Sequence, residues 1–412
     1  MRYVCWCSSF DFKEKDRLVV EGDMMTACIV IMCLSAFMAF YAMFGYPLTL
    51  IFLNKIKKTK PLKKSLNYEP VVSFMIVAHN EEKCIKTKLE NILSFDYPLD
   101  KIQILVASDF CTDKTNEIVE TFIADHPELN IILNQSKEHK GKTNAQNETQ
   151  KLATGEILVM TDANSIFEKT ALKELVQSFS EDDIWYVCGQ LKYVNENNLT
   201  STNESLYWKL DLKQREIESD FQTITAGNGS IYAVRNSCYI DVKPIYCHDS
   251  QFPLLFALKK KKSKYNKNAI AYEKAGETNK DEFKRKVRMN RKILEIFISM
   301  WRPMNVFKYK WFSLFYFGHR TCRYFLWVNH LIFLVASIVL TIMGYHVFGW
   351  ILLGLQMLFV LLGIISIYHS IRFKPFRLIG YYSMTVISQF VAAFKQSIGK
   401  SKPTWEKAES TR

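Results

Sequence analysis

From Thr26 to Leu53 the chain runs for 28 residues without a charged side chain, and an apolar helix of ~20 residues already spans the hydrocarbon layer of a bilayer. A chain with such a run divides into a membrane part and whatever lies in water. The run is too long for the core of a cleaved signal peptide, and no small-residue cleavage site accompanies it. Two further runs, Tyr324 to Met343 and His346 to His369, meet at Gly344-Tyr345, and each is long enough to cross. The last apolar stretch, 376–395, carries Arg372, Lys374 and Arg377 around its start and Lys395, Lys400 and Lys402 around its end. Basic residues at both ends suit a helix in the headgroup layer, with a fourth crossing as the alternative.

Lysines at positions 55, 57, 58, 60, 63 and 64 crowd the exit of the first run, and such clusters stay on the cytoplasmic side. The expected organisation is a tail (1–25), a transmembrane helix (26–53), a basic linker (54–70) and a cytoplasmic domain (71–300). An interfacial segment (301–323), transmembrane helices (324–343 and 346–369), the 376–395 helix and a second tail (396–412) follow. This describes an integral protein of the cell membrane. The formal charge is +13, with no acidic residue between Glu295 and Glu406, so anionic lipid is the expected counter-surface. No nucleic-acid-binding motif accompanies the charge, and nucleic acid is excluded as a partner. The ten cysteines are scattered; they suggest reduced core thiols, neither a zinc site nor a disulfide framework.

Within 71–300, short β-branched runs alternate with amphipathic stretches, the pattern of a parallel sheet wrapped by helices. Strands are expected at Val71–Ala78, Ile102–Ala107, Asn130–Leu133, Ile157–Met160 and Tyr186–Val194. Helices are expected around Ile85–Leu93, Thr115–Ala124 (capped by Thr112 or Asp113), Thr143–Leu152 and Thr170–Phe179. The fold class is α/β, Rossmann-like. Ligands in such sheets bind beyond the carboxyl ends of the strands, where the sequence places His79, Asn80 and Glu81, then Asp109, then Asp162 and Asn164. Each alone reads as a turn or cap residue; together at three strand ends they describe a crevice.

These residues belong to an ordered series: Val77-Ala78-His79-Asn80-Glu81-Glu82, Ser108-Asp109-Phe110-Cys111-Thr112-Asp113-Lys114-Thr115, Gly141-Lys142-Thr143-Asn144-Ala145-Gln146-Asn147, Thr161-Asp162-Ala163-Asn164, Gly227-Asn228-Gly229-Ser230, His248-Asp249 and Arg285-Lys286-Val287-Arg288-Met289. Over about 230 residues, Val71 to Trp301, the series resembles the inverting glycosyltransferases of family 2, the group of cellulose, chitin, hyaluronan and poly-N-acetylglucosamine synthases. The resemblance implies a nucleotide-diphospho-sugar transferase domain of GT-A type with flanking transmembrane helices. It implies a nucleotide-sugar donor, uracil being the base in the well-known members, held by Ala78, His79, Asn80, Glu81, Asp109, Lys142, Asp162, Arg285 and Arg291. Mg²⁺ or Mn²⁺ is implied at Asp162 and Asn164, acceptor contacts at Gly227, Asn228, Gly229 and Ser230, a general base at Asp249, and transition-state charge at Arg288.

Two departures matter. Asn164 replaces the second carboxylate of an Asp-x-Asp pair; an amide oxygen still ligates but neutralises less charge. Met289 stands where processive members carry a tryptophan that stacks on an acceptor sugar. The acceptor is therefore either a growing glycan, for which an accessory membrane subunit would complete a secretion path, or a polyprenyl-phosphate or other lipid taking one sugar. A nucleotide-sugar-binding scaffold without turnover and a transporter with a regulatory domain are the rivals from other classes. Single-residue alternatives also stand: Lys142 starting a helix, Gly227 and Gly229 serving a plain turn, Asp249 capping a helix over Gln251–Leu258, and Arg285, Arg288 and Arg291 forming a membrane-facing stripe. His319 reads as a metal or catalytic residue or as interfacial packing, and Trp405-Glu406-Lys407 is similar to a C-terminal motif of some synthases.

Overall fold

A computed structural model describes residues 14–404 except 58, 60, 195–198, 275–277, 300, 370 and 372. The first 13 residues of the expected tail, Arg372 and Trp405-Glu406-Lys407 lie outside the described residues. Helix α1 (Glu14–Phe40) passes through a π-helical turn (Tyr41–Gly45) into α2 (Tyr46–Ile56). The sheet domain follows: β1 (Val72–Ala78), α3 (Ile85–Leu93), β2 (Ile102–Ser108), α4 (Thr115–Asp125), β3 (Asn130–Gln135), α5 (Lys142–Gln150), β4 (Ile157–Asp162), β5 (Ile166–Phe167), α6 (Ala171–Gln177), β6 (Ile184–Tyr193), α7 (Leu199–Phe221), β7 (Ile231–Arg235), α8 (His248–Leu258) and β8 (Lys262–Glu273). Helices α9 (Asn279–Met289) and α10 (Ile293–Ser299) and the short turns α11 (Val306–Tyr309), α12 (Trp311–Tyr316) and α13 (Cys322–Tyr324) lead to α14 (Leu326–Ile342), α15 (His346–Tyr368) and α16 (Lys374–Ser397).

The eight strands run in the order β3-β2-β1-β4-β7-β6-β8-β5. β1 to β4 are parallel, β7 is antiparallel to β4 and β6, and β8 is parallel to β6 and antiparallel to β5. Side chains alternate between the faces of a strand, so β1 sends Phe74 and Ile76 into a core with Leu89 and Leu175, and Met75 and Val77 into a second core with Phe252 and Phe256. Such two-sided burial is why β1, β2 and β4 read as continuous apolar runs.

Several expectations need correction. Asp249 is not an N-cap: α8 begins at His248, and Cys247 precedes it as the cap position. Lys114 holds the cap position of α4, with Asp113 bonded to Thr115 N at 3.0 Å. Of the eight described cysteines, all free, only Cys188 and Cys322 are buried.

Two helical stretches are long and apolar enough to cross a membrane, Gly22–Ile56 and His346–Tyr368. α14 joins them only when taken with Trp311–Tyr324, from which it bends by 54°. α16 packs against α15 on one side and α9 and α10 on the other. His319 is fully buried in a polar knot: its Nε2 lies 2.9 Å from Asp211 Oδ1 and its Nδ1 2.6 Å from Glu218 Oε1, while Tyr46 of α2 donates its hydroxyl to Glu218 at 2.6 Å. This knot ties α7 of the sheet domain to α2, the end of the first long apolar helix.

Candidate functional site

The loops after β1 and β2 are laced together. Asn80, in the left-handed region at φ 55°, accepts Thr112 N on Oδ1 at 2.8 Å; Glu81 N donates to Thr115 Oγ1 at 2.7 Å; Asp109 N donates to Ala78 O at 2.9 Å. Asp109 is fully buried. Its Oδ1 accepts Lys140 N and Gly141 N at 3.2 and 3.3 Å, and its Oδ2 faces His139 Nδ1 at 2.9 Å. His79 stacks on His139 with ring centroids 4.0 Å apart, and its Nδ1 lies 2.6 Å from Asp109 O.

Gly141, at φ 96°, is a position that favours glycine; a Cβ there would also come within 2.8 Å of Pro403 O. The next residue, Lys142, is ion-paired with Asp162 at the end of β4 and donates to Gly229 O at 3.3 Å. Burial penalises its charge, yet the Asp162 carboxylate outweighs that and holds its pKa above the ordinary lysine value. Gly229 is flanked by Lys142 Nζ and Asp249 Oδ2, 3.6 and 3.7 Å from where its Cβ would stand, and Gly227 N donates to Asp249 O at 2.7 Å. The Asp249 side chain is partly exposed. One contiguous chain of contacts thus runs from Asp109 through Gly141 and Lys142 to Asp162, and past Gly229 to Asp249.

Arg288 is exposed on α9, within the field of Asp162 and beside Arg285 and Arg291. Arg285 spends Nε and Nη2 on Glu282, at 2.6 and 3.1 Å. Arg291 binds main chain: Nε to Ile245 O at 2.6 Å, Nη1 to Pro403 O at 3.0 Å and Nη2 to Tyr246 O at 3.5 Å. It braces the loop before Asp249 and the C-terminal segment.

Three site residues, His139, Glu273 and Lys88, carry no recognisable pattern in the sequence. His139 precedes the Gly-Lys segment by two residues. Glu273, at the end of β8, accepts Asn164 Nδ2 at 2.7 Å and Ser230 Oγ at 3.0 Å; burial and then the Asp162 charge raise its pKa. Lys88 lies fully buried behind the strand end, donating to Thr161 Oγ1 at 3.2 Å and to Ser165 O, and burial lowers its pKa to about 7. His248, also buried, contacts Gln146, Asn147 and Tyr239 at 2.8–2.9 Å.

Two places could take a cation. His79, Asp109 and His139 bring three ligand atoms within 4.8 Å of one another, with His79 Nδ1 hydrogen-bonded to Asp109 O and His139 Nδ1 2.9 Å from Asp109 Oδ2. The end of β4 offers a carboxylate (Asp162) and an amide (Asn164), the oxygen ligands that hard divalent cations prefer.

Residues 73–241 match the model of the family described as glycosyl transferase family 2. The chain is 30% identical over 164 residues to a probable glycosyltransferase, YdaM, of Bacillus subtilis, covering 38% of each. It is 23% identical over 192 residues to a beta-monoglucosyldiacylglycerol synthase of Nostoc sp., covering 47% of this chain and 39% of that one. A poly-beta-1,6-N-acetyl-D-glucosamine synthase of Staphylococcus epidermidis is 28% identical over 131 residues, 30% of this chain and 31% of the relative. The chain thus spans less than two fifths of the length of these curated relatives. Among solved structures, the mannosyltransferase PcManGT from Pyrobaculum calidifontis, in complex with GDP-Man and Mn²⁺, superposes with a TM-score of 0.64 at 20% identity, covering 90% of this chain and 99% of that one. That likeness shows the fold: a mixed α/β sheet of GT-A type.

Proposed function

We propose, from the match of residues 73–241 to the glycosyl transferase family 2 model, that the chain is a membrane-anchored inverting enzyme that moves a sugar from a nucleotide-sugar donor to a glycan or lipid-linked acceptor. The observation that carries the reading is the unbroken set of contacts linking Asp109, Lys142, Asp162 and Asp249 around one opening. A scaffold without turnover has no use for a partly exposed carboxylate held beside such a set.

In this reading Asp109 and the loop after β1 receive the base, UDP being the expected carrier. Asp162 and Asn164 hold Mg²⁺ or Mn²⁺, which when bound would act as a Lewis acid on the departing diphosphate. Lys142 turns from Asp162 towards the phosphates. Asp249 takes the proton of the attacking hydroxyl, and Arg288 adds fixed positive charge whose value grows as the glycosidic bond breaks. Attack from the face opposite the leaving group inverts the anomeric centre, so an α-linked donor yields a β-linked product. The domain faces the cytoplasm, on the evidence of the lysines after the first span.

A single-transfer reaction onto a lipid is a second reading, favoured by Met289: it is 63% exposed and offers no ring for an acceptor sugar to stack upon. Incubating the purified chain in lipid vesicles with a panel of radiolabelled nucleotide sugars, then sizing the products, tests both. Label in long chains supports polymerisation, label in a single lipid species supports single transfer, and no label from any donor sinks both.

A further inference from the structure

We propose that Glu273 supplies the second carboxylate that the Asp162-Ala163-Asn164 sequence lacks, so that Asp162, Asn164 and Glu273 hold the divalent cation together. The inference rests on the metal-dependent reading above and adds a residue that no motif identified. Asn164 and Glu273 meet because of strand register: β5 begins two residues after Asn164, and its Ile166 pairs with Tyr272, the neighbour of Glu273. The backbone therefore fixes the meeting, and a flexible side chain does not have to search for it.

Both Glu273 oxygens are then oriented, one by Asn164 Nδ2 at 2.7 Å and the other by Ser230 Oγ at 3.0 Å. With its Nδ2 committed to Glu273, the Asn164 amide keeps its oxygen as the group left for a cation. Ser230 belongs to the turn whose Gly229 lies against Lys142 and Asp249, so Glu273 is bonded into the same opening. Two residues before Ser230, the Asn228 side chain, 7% exposed, has its Nδ2 buried without a hydrogen-bond partner, a donor that an acceptor oxygen would satisfy and a cation would not.

The charges agree. A divalent cation held by one carboxylate and a neutral amide is under-neutralised, whereas two carboxylates match it. Lys88 and Lys142 supply positive charge around the pair in the cation's absence, Lys142 on Asp162 and Lys88 behind Thr161 and Ser165.

The test measures Mn²⁺ binding to the full chain in detergent micelles, without nucleotide, by calorimetry and by the loss of the free-ion paramagnetic resonance signal. Glu273→Gln should weaken binding at least tenfold. Adding Asn164→Asp to that variant should return it to within threefold of the natural chain, since the carboxylate is restored one ligand away; this rescue also excludes misfolding as the cause of the loss. Natural affinity in Glu273→Gln, failure of the rescue, or no Mn²⁺ uptake by the natural chain overturns the inference. Sugar transfer, assayed separately in EDTA and in Mn²⁺, keeps the two claims apart. Transfer that persists while Mn²⁺ uptake ignores Glu273 sinks this inference alone, and Glu273-dependent uptake without transfer from any donor sinks the proposed activity alone.

Discussion

The Lys142 ammonium rests on the Asp162 carboxylate, joining the first residue of α5 to the last of β4 by charge. A cation arriving at Asp162 must displace that ammonium, so metal and lysine compete. Lys142→Met should therefore tighten Mn²⁺ binding several-fold in the absence of nucleotide. The same change should weaken nucleoside diphosphate binding by about 1.5–3 kcal/mol, the worth of a hydrogen bond to a charged group. Calorimetric titrations of the two ligands, run separately, check both signs. Weaker Mn²⁺ binding in the variant would mean that Lys142 supports the cation instead of competing with it.

Asp249 has no lysine or arginine within ion-pair distance among the described residues, and its side chain is partly exposed. That suits a group waiting for a proton. Asp249→Asn should lower turnover by roughly 100- to 10,000-fold, the usual range for a lost general base. Nucleotide affinity should stay within about threefold, because the neighbouring Asp109 and Lys142 are untouched. Turnover near that of the natural chain would take the role away from Asp249.

The strands β1, β2 and β4 and the carboxylates at their ends were legible in the sequence because these strands are buried on both faces and end in polar residues. Of the other half, β6 was read, as Tyr186–Val194, and β5, β7 and β8 were not. Short β5 has no periodicity to read, and β8 mixes lysines and asparagines with its buried positions. Glu273 was invisible for the same reason: its relation to Asn164 is created by pairing between strands more than 100 residues apart. His319 was ambiguous because its partners, Asp211 and Glu218, come from α7, which has no apolar stripe strong enough to announce it. Arg291 matched a motif spacing, yet its guanidinium braces three carbonyls.

Gly227 is required by a side chain distant in sequence. A Cβ at this position would stand 1.7 Å from the Tyr186 hydroxyl, which is itself buried without a partner. Gly227→Ala should cost about 1–3 kcal/mol of stability through overpacking. Tyr186→Phe removes the clashing oxygen but leaves ring carbons 2.6 and 2.9 Å from the added Cβ, so it should recover only part of the loss. Denaturant unfolding of the two single variants and the double gives the coupling, and additive losses would show that the turn yields elsewhere. Gly229→Ala makes a sharp contrast. Its Cβ would meet only ordinary contacts at 3.6–3.7 Å, so stability should hold while transfer falls, because the methyl group enters the opening between Lys142 and Asp249.

Burial holds the pKa of His248 down at about 3, with repulsion from Lys142 adding to the effect. The unfolded chain, with an ordinary value near 6.5, binds this proton more readily than the folded one. Stability from this site is thus complete above pH ~6.5 and is lost as pH falls towards 3, at up to about 1.4 kcal/mol per unit. His248→Gln should flatten the difference between stabilities measured at pH 7 and pH 5, after allowance for whatever it costs at both. An unchanged difference would show that His248 charges within the fold.

Glu218 accepts from Tyr46 of the first long apolar helix, from His319 and from Thr225, and is fully buried itself. Removing one charge from such a set strands the rest: the imidazole keeps Asp211 on one side but loses its anion on the other. Glu218→Gln should therefore cost about 3–5 kcal/mol, the usual price of breaking a buried ion pair by one partner. Tyr46→Phe removes a single hydrogen bond and should cost about 1 kcal/mol. Because Tyr46 reaches Glu218 from α2, the two losses should be less than additive, and unfolding of the double variant in micelles measures the shortfall. Strict additivity, or a Glu218→Gln cost below about 0.5 kcal/mol, would show that the sheet domain and the first long apolar helix are held together elsewhere.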